Sequence, residues 1–87
     1  MEKTLEDELK EVPDVVKKIR KQYGAEAKVG KINQIEGCSS REPYGKRTVE
    51  IVAGNKLIGK YEVEWDISGT FHNYNGKTIK SIANYEP

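Results

Sequence analysis

The stretch YEVEWDISGTFHNY, residues 61–74, decides how this sequence folds. It holds the only tryptophan, the only phenylalanine and the only histidine of the 87 residues. Apolar residues alternate with charged ones over 61–67, which is the period-two pattern of a strand with one buried face. Residues 66–69 read Asp-Ile-Ser-Gly, a composition typical of a tight hairpin turn. The stretch therefore predicts an antiparallel hairpin with one apolar and one polar face.

The register of this hairpin determines which side chains face the core. A type I turn with Gly69 as its bulge residue pairs Trp65 with Phe71 on the buried face. The other face then carries the remaining polar and aromatic residues, which are Glu62, Glu64, His72 and Tyr74. Because Glu64 opposes His72 in this register, a base with an orienting carboxylate is conceivable, but acid–base catalysis also needs a pocket. We therefore expect a structural cross-strand pair there.

Residues 47–53 read RTVEIVA and form the clearest partner for this hairpin. Their apolar residues alternate with polar ones, as in a strand that is buried on one face. The register that keeps the apolar faces together pairs Val49 with Tyr61 and Ile51 with Gly59. It needs a loop of about four residues, which is a common hairpin length. The sequence therefore predicts a second antiparallel pair of strands.

The remaining segments after residue 27 give weaker signals. Residues 27–36 have a partial strand pattern, and residues 37–46 have the Gly, Ser and Pro content of a loop. The Asn-Gly at 75–76 is typical of a type I′ turn, which would pair Phe71 with Lys80 if it joined two strands directly. The last segment can instead continue through a bulge at the same glycine. The sequence leaves both arrangements open.

Residues 4–23 have the apolar spacing of an amphipathic helix. Steps of four and three residues place six side chains on one face: Leu5, Leu9, Val12, Val16, Ile19 and Tyr23. Thr4 is a suitable N-cap, but a proline inside a helix, here Pro13, removes a hydrogen bond and costs about 3 kcal/mol. The sequence leaves open one helix kinked at Pro13 or a frayed segment 1–12 before a helix that begins there. The unbroken spacing favours two helical pieces that share one core face.

Together these patterns predict a single α+β domain over residues 1–87. An N-terminal amphipathic helix, kinked at Pro13 or not, packs on an antiparallel meander of three or four strands. The meander has one apolar face, and the helix has a matching apolar stripe. A chain of this length has room for one modest core only. We therefore expect two layers, helix on sheet.

Composition argues against several functional classes. Fifteen Lys and Arg against fourteen Asp and Glu leave a net charge of +1, and we find no basic cluster of the kind that nucleic-acid binding requires. Cys38 and His72 each stand alone, so we predict no metal site, no cofactor and no catalytic residues. The stretch GNKLIGKY departs from a phosphate-binding loop, because Tyr61 stands where Ser or Thr must contact Mg²⁺. No segment resembles a signal peptide or a membrane span, so we predict a cytoplasmic location.

One pattern in the hairpin carries a family resemblance: Tyr61-Glu62-Val63-x-x-Asp66-x-x-Gly69-x-Phe71-x-x-Tyr74. It resembles the closing strands of the gas vesicle accessory protein O family. It is also similar to PepSY-type domains, in which a helix packs on a short antiparallel meander. Both resemblances imply an α+β fold with a packed helix. The first also implies an accessory role in gas vesicle assembly.

We expect a small non-enzymatic protein-binding or accessory module, with another protein as its partner. The contact surface would be a sheet face, a sheet edge or the 38–47 loop, and an exposed edge strand would also allow a homodimer. The candidate contact residues are Arg41, Tyr44, Arg47, Glu62, Glu64, His72 and Tyr74. Besides the gas vesicle role, the alternative is a nucleic-acid-binding β-domain. The bases of the bound nucleic acid would then stack on four aromatic residues, which are Tyr61, Trp65, Phe71 and Tyr74.

Overall fold

The computed structural model of this chain describes residues 4–39 and 42–83. Within these residues, two α-helices and one turn of 3₁₀-helix precede a sheet of five strands, whose order follows the chain and whose neighbours are all antiparallel. The α+β class is therefore confirmed. The elements are Leu5–Glu8 (α1), Pro13–Tyr23 (α2), Gly24–Glu26 (3₁₀), Ala27–Ser39 (β1), Glu42–Ala53 (β2), Lys56–Asp66 (β3), Gly69–Tyr74 (β4) and Lys77–Ala83 (β5).

The prediction of three or four strands was wrong, because the last segment forms a fifth. The described residues of the predicted 37–46 loop extend β1 and β2. Gly37 pairs with Tyr44 across β1 and β2. A Cβ built at Gly37 would lie 2.6 Å from both Cζ and Oη of Tyr44, so the tyrosine ring lies across the glycine. An aromatic ring over a cross-strand glycine supports a sheet where glycine alone weakens it. The glycine and serine content therefore led to the prediction of a loop where the ends of β1 and β2 form strand.

A two-residue turn joins β4 to β5. Asn75 and Gly76 have positive φ angles of 51° and 84°, as a type I′ turn requires. The register then shifts between His72 and Asn73, so that Phe71 pairs with Ser81. The sequence pattern offered a direct turn or a bulge at the turn. The chain combines the direct turn with an irregularity farther along the strands.

The helical layer consists of two pieces, as the apolar spacing favoured, but its main helix is not N-terminal, so the prediction of an N-terminal helix was wrong. Thr4 Oγ1 accepts a hydrogen bond from the Asp7 backbone amide at 3.1 Å and caps α1. The longer helix begins at Pro13, where the missing N–H would be unpaired in any residue. The proline thus starts a helix and does not kink one. Neither α1 nor α2 has the length and apolar character needed to span a bilayer.

The core lies between the helices and one face of the sheet, which we call the helix face. The opposite face, on which no element of residues 4–39 and 42–83 packs, is called the open face. The predicted pairs Val49–Tyr61 and Ile51–Gly59 both form, which confirms that register. Buried apolar residues from both layers build the core: Leu5, Leu9, Val12, Val16, Ile19, Ala27, Val49, Ile51 and Tyr61.

The β3–β4 hairpin is shifted by one residue from the predicted register. Asp66 pairs with Gly69, so that Glu64 opposes Phe71 and not His72. The cause is local: Asp66 Oδ1 accepts hydrogen bonds from the Ser68 amide at 2.8 Å and from the Gly69 amide at 3.2 Å. This side-chain cap closes a two-residue loop, which leaves no place for a bulge. A one-residue shift moves every β4 side chain to the other face.

Candidate functional site

The structure divides six of the seven predicted contact residues between the two faces. Arg41 lies outside the described residues. The strand register and the alternation of side chains place Tyr44, Glu62 and Glu64 on the open face. They place Arg47, His72 and Tyr74 on the helix face. The predicted location of His72 and Tyr74 on the solvent side was therefore wrong, for the register reason given above.

His72 is a buried residue of the core. Only 4% of its surface is exposed, and its Nδ1 lies 2.5 Å from the hydroxyl of Tyr61. Burial and the nearby Lys80 ammonium lower the pKa of His72, while Glu11 acts in the opposite direction. Burial also raises the pKa of Tyr61 to about 12. When the neutral imidazole carries its proton on Nε2, its Nδ1 accepts the hydrogen bond of the Tyr61 hydroxyl, and both of these atoms are satisfied.

The catalytic arrangement considered for Glu64 and His72 does not form. Glu64 lies on the open face opposite Phe71, while His72 opposes Val63 on the helix face. Tyr74 also packs against the core, with its ring across Gly59. Within the described part of the chain, no three Asp, Glu, His or Cys side chains are grouped as metal ligands.

The buried imidazole predicts a fall in stability at mildly acidic pH. Its folded pKa is below the unfolded value of 6.5, so the unfolded state binds the proton more tightly. The corresponding stability is complete above pH 6.5 and is lost as the pH falls through and below that value. The groups that face this imidazole are Tyr61, Lys80 and Glu11; burial and Lys80 oppose its protonation, whereas Glu11 favours it. Urea denaturation between pH 8 and pH 5 measures the effect.

The matched control is His72→Gln, whose amide oxygen can accept the Tyr61 hydroxyl without titrating. We expect this variant to lose the stability change between pH 6.5 and pH 5. The change below pH 4.5 should remain, because Arg20 holds the pKa of Glu6 at about 2 in both proteins. Identical pH profiles for the two proteins above pH 5 would contradict the buried position of His72.

Arg47 connects the sheet to α1. Its Nη2 lies 2.8 Å from Glu8 Oε1, and its Nη1 lies 2.8 Å from Gln34 Oε1. Arg20 makes a similar connection within the helical layer, where its guanidinium binds both carboxylate oxygens of Glu6. A planar guanidinium suits such paired contacts. The structure thus gives Arg47 an internal role.

The open face carries an exposed apolar cluster near the β3–β4 turn. We call Ile35, Tyr44 and Phe71 the open-face patch. Ile35 is 57% exposed and Tyr44 is 46% exposed, and Phe71 is half-buried. The pairs Ile35–Lys46, Lys46–Glu64 and Glu64–Phe71 form one row across four strands. The patch borders a depression of about 320 Å³.

Charged side chains of both signs lie between and beside the apolar residues of this patch. Lys46 Nζ forms an ion pair with Glu62 Oε2 at 2.7 Å, and this contact raises the pKa of Lys46. Glu64 Oε1 accepts a hydrogen bond from the side-chain Nδ2 of Asn73 at 3.2 Å. Two carboxylates thus accompany one ammonium. Such a surface can hold apolar groups and hydrogen-bond donors, and it repels phosphates.

Sequence reasoning found Tyr44 and the two glutamates but missed Ile35 and Phe71. Ile35 falls in the segment with the weakest strand pattern, and Phe71 was assigned to the core. The signal that could have relocated Phe71 is Asp66, since an aspartate two residues before Ser68 favours a side-chain cap on a short turn. No sequence signal of comparable strength marked Ile35.

Comparisons of this chain with protein-family models, with curated proteins and with solved structures give no match. The resemblance to the gas vesicle accessory protein O family and to PepSY-type domains therefore stays a prediction.

Proposed function

We propose that this chain is a non-enzymatic protein-binding module whose contact surface is the open-face patch. The observation that carries the proposal is the exposure of Ile35 and Tyr44 beside Phe71 on a sheet face without a covering layer. Exposed apolar groups beside polar ones, here with Lys46 and Glu64 between Ile35 and Phe71, are typical of protein-contact sites. Tyrosine is also enriched among the residues that dominate binding energy.

Two features indicate the chemistry of the partner. Tyr44 is held across Gly37 in the free protein, so little rotamer freedom remains for binding to remove. Glu62 and Glu64 give the charged residues of this surface an excess of negative charge over Lys46. The partner that fits is an apolar protein surface that carries lysine or arginine among its apolar residues.

The nucleic-acid alternative has less support. Its four stacking residues lie on different faces: Phe71 belongs to the open face, whereas Tyr61, Trp65 and Tyr74 belong to the helix face. Tyr61 is also buried in the core. Phosphates near Phe71 would meet the carboxylate of Glu64. We expect no binding to single-stranded DNA or RNA even at about 50 mM salt, where electrostatic attraction is strong.

The gas vesicle role would be a special case of protein binding, with a gas vesicle protein as the partner. It rests on the sequence resemblance alone. The proposed surface is independent of that resemblance, so a partner from another system would leave the binding proposal intact.

Affinity capture from the cytoplasmic fraction of the native source, the compartment that we assign to the protein, tests the proposal. Three baits are compared by quantitative mass spectrometry: the wild type, the Tyr44→Ser/Phe71→Ser variant and the Leu57→Ser control. Leu57 is exposed, and it lies near the other end of β3. The partner should be captured by the wild type and by the control but not by the double variant.

The captured partner is then purified and titrated calorimetrically against the same three proteins. Loss of two aromatic contacts should weaken binding by about 30-fold or more, which corresponds to about 2 kcal/mol. The Leu57→Ser control should bind within about twofold of the wild type. Equal capture and equal affinity for all three proteins would contradict the proposed surface.

A further inference from the structure

The two edges of the sheet differ in how they are protected against pairing with another strand. The β5 edge is short, its pairing with β4 is irregular, and it carries Lys77 and Lys80. Lys80 also contacts the carboxylate and the carbonyl of Glu11. Short length, irregular pairing and lysines are the features that block edge-to-edge association. The β5 edge is therefore poorly suited to binding a further strand.

The β1 edge is protected over its first part only. The irregularity lies between Val29 and Ile32, and the two lysines of the strand, Lys28 and Lys31, belong to the same first part. From Ile32 to Ser39 the strand pairs with β2 in an unbroken register. This part contains no lysine, arginine or proline. We call residues 32–39 the free edge.

Apolar side chains stand on both faces of the free edge. Ile32 pairs with Val49 on the helix face, and Ile35 pairs with Lys46 on the open face. Both isoleucines are exposed. A regular, unprotected edge with exposed apolar residues on its two faces fits an added strand that has apolar residues on its own two faces.

The sequence of the free edge meets this requirement itself. Antiparallel pairing of two copies about Ile35 places the two Ile35 side chains opposite each other on the open face. The only charged residue of the segment, Glu36, then opposes Gln34 of the partner subunit. These two side chains are a suitable donor and acceptor. Within one chain, Gln34 Nε2 donates a hydrogen bond to Glu36 Oε1 at 2.7 Å. No like charges meet in this register.

We propose that two copies of this chain associate through antiparallel pairing of their free edges about Ile35, which joins two five-stranded sheets into one of ten strands. The paired Ile35 residues would make the two open-face patches continuous. This inference does not rest on the binding role proposed above, because its tests contain no other protein.

Sedimentation equilibrium over about 1 μM to 1 mM provides the first test. The wild type should approach twice the chain mass of 9.9 kDa at the upper end. Ile35→Lys places two ammonium groups opposite each other and should remain monomeric over the range. The control is Ile67→Lys: Ile67 is as exposed as Ile35, at 57%, but lies in the β3–β4 turn. It should associate like the wild type.

Cysteine cross-linking tests the register independently of the lysine variants. In a Cys38→Ser background, Ile35→Cys should form a disulfide-linked dimer under mild oxidation, because directly opposed residues have Cα atoms about 5 Å apart. Asn33→Cys is the control on the same strand and face. Its counterpart in the partner subunit would be about 13 Å away, beyond disulfide range. Far-UV circular dichroism verifies that each variant is folded.

Three results would overturn the inference. They are a wild type that stays monomeric at every concentration, a folded Ile35→Lys variant that associates like the wild type, or equal cross-linking of the two cysteine variants. Concentration-dependent dimerisation with selective cross-linking at position 35 is the expected outcome.

Discussion

Leu9→Ala is expected to lower the free energy of unfolding by about 3 kcal/mol. Leu9 lies just after α1, is fully buried and belongs to the core cluster. Truncation of a buried leucine removes its transfer free energy and leaves a cavity, and such losses range over about 2–5 kcal/mol. Urea denaturation followed by circular dichroism measures the change as a lower midpoint with an unchanged slope.

The matched control is Leu57→Ala, the same replacement at a leucine that is 48% exposed. We expect it to change the free energy of unfolding by less than about 0.5 kcal/mol. A Leu9→Ala variant as stable as this control would show that the segment around α1 does not pack on the sheet. The two-piece helical layer would then be wrong.

Gly45→Ala is expected to destabilise the protein by about 2 kcal/mol, a typical result of overpacking. Gly45 is buried and pairs with Trp65 across β2 and β3. A Cβ at this position would overlap the indole ring, which lies across the glycine. The ring or the strand must therefore move. Urea denaturation of the variant measures the loss.

A double-mutant cycle with Trp65→Ala separates this clash from any other effect of the methyl group. In the Trp65→Ala background, Gly45→Ala should cost less than about 0.5 kcal/mol, because the ring that it would strike is gone. It can even stabilise, since glycine weakens a strand interior. An equal loss in both backgrounds would contradict the contact between Gly45 and the indole.

The parts of the fold that the sequence predicted correctly depend on strong periodicity. The three- and four-residue spacing of the helical segment identified Leu5, Leu9, Val12 and Val16 as core residues. The alternation in β2 and β3 predicted their register, because a slip would have exposed one of two clearly apolar faces. Where one face is strongly apolar on both strands, pattern alone decides the pairing.

The β3–β4 hairpin shows why pattern failed elsewhere. The sequence GTFHNY of β4 offers two faces of similar polarity, with Phe71 on one and His72 on the other. Pattern favoured burial of the phenylalanine. In the structure His72 is buried instead, because Asp66 caps a two-residue loop that sets the register. Tyr61 forms a hydrogen bond with the buried imidazole. Burial of a polar group is tolerated when a partner is supplied, and that partner comes from another strand.

The sequence predicted only part of the candidate site, for a related reason. Tyr44 was recognised as a contact residue in a loop, but its position depends on Gly37, seven residues earlier on a neighbouring strand. Ile35 and Phe71 join it only when four strands are in register. Cross-strand neighbours of this kind are set by turns and by glycine–aromatic contacts, and neither leaves a periodic signal in the chain.

The central claim is that the β3–β4 register sends His72 into the core and Phe71 to the open face. A pH titration of the imidazole by NMR tests it most directly, because His72 is the only histidine and its signals need no assignment. We predict a pKa below the ordinary value of 6.5, with the neutral ring carrying its proton on Nε2. A pKa at the ordinary value, with the averaged tautomers of a solvent-exposed imidazole, would contradict the register and the open-face patch that follows from it.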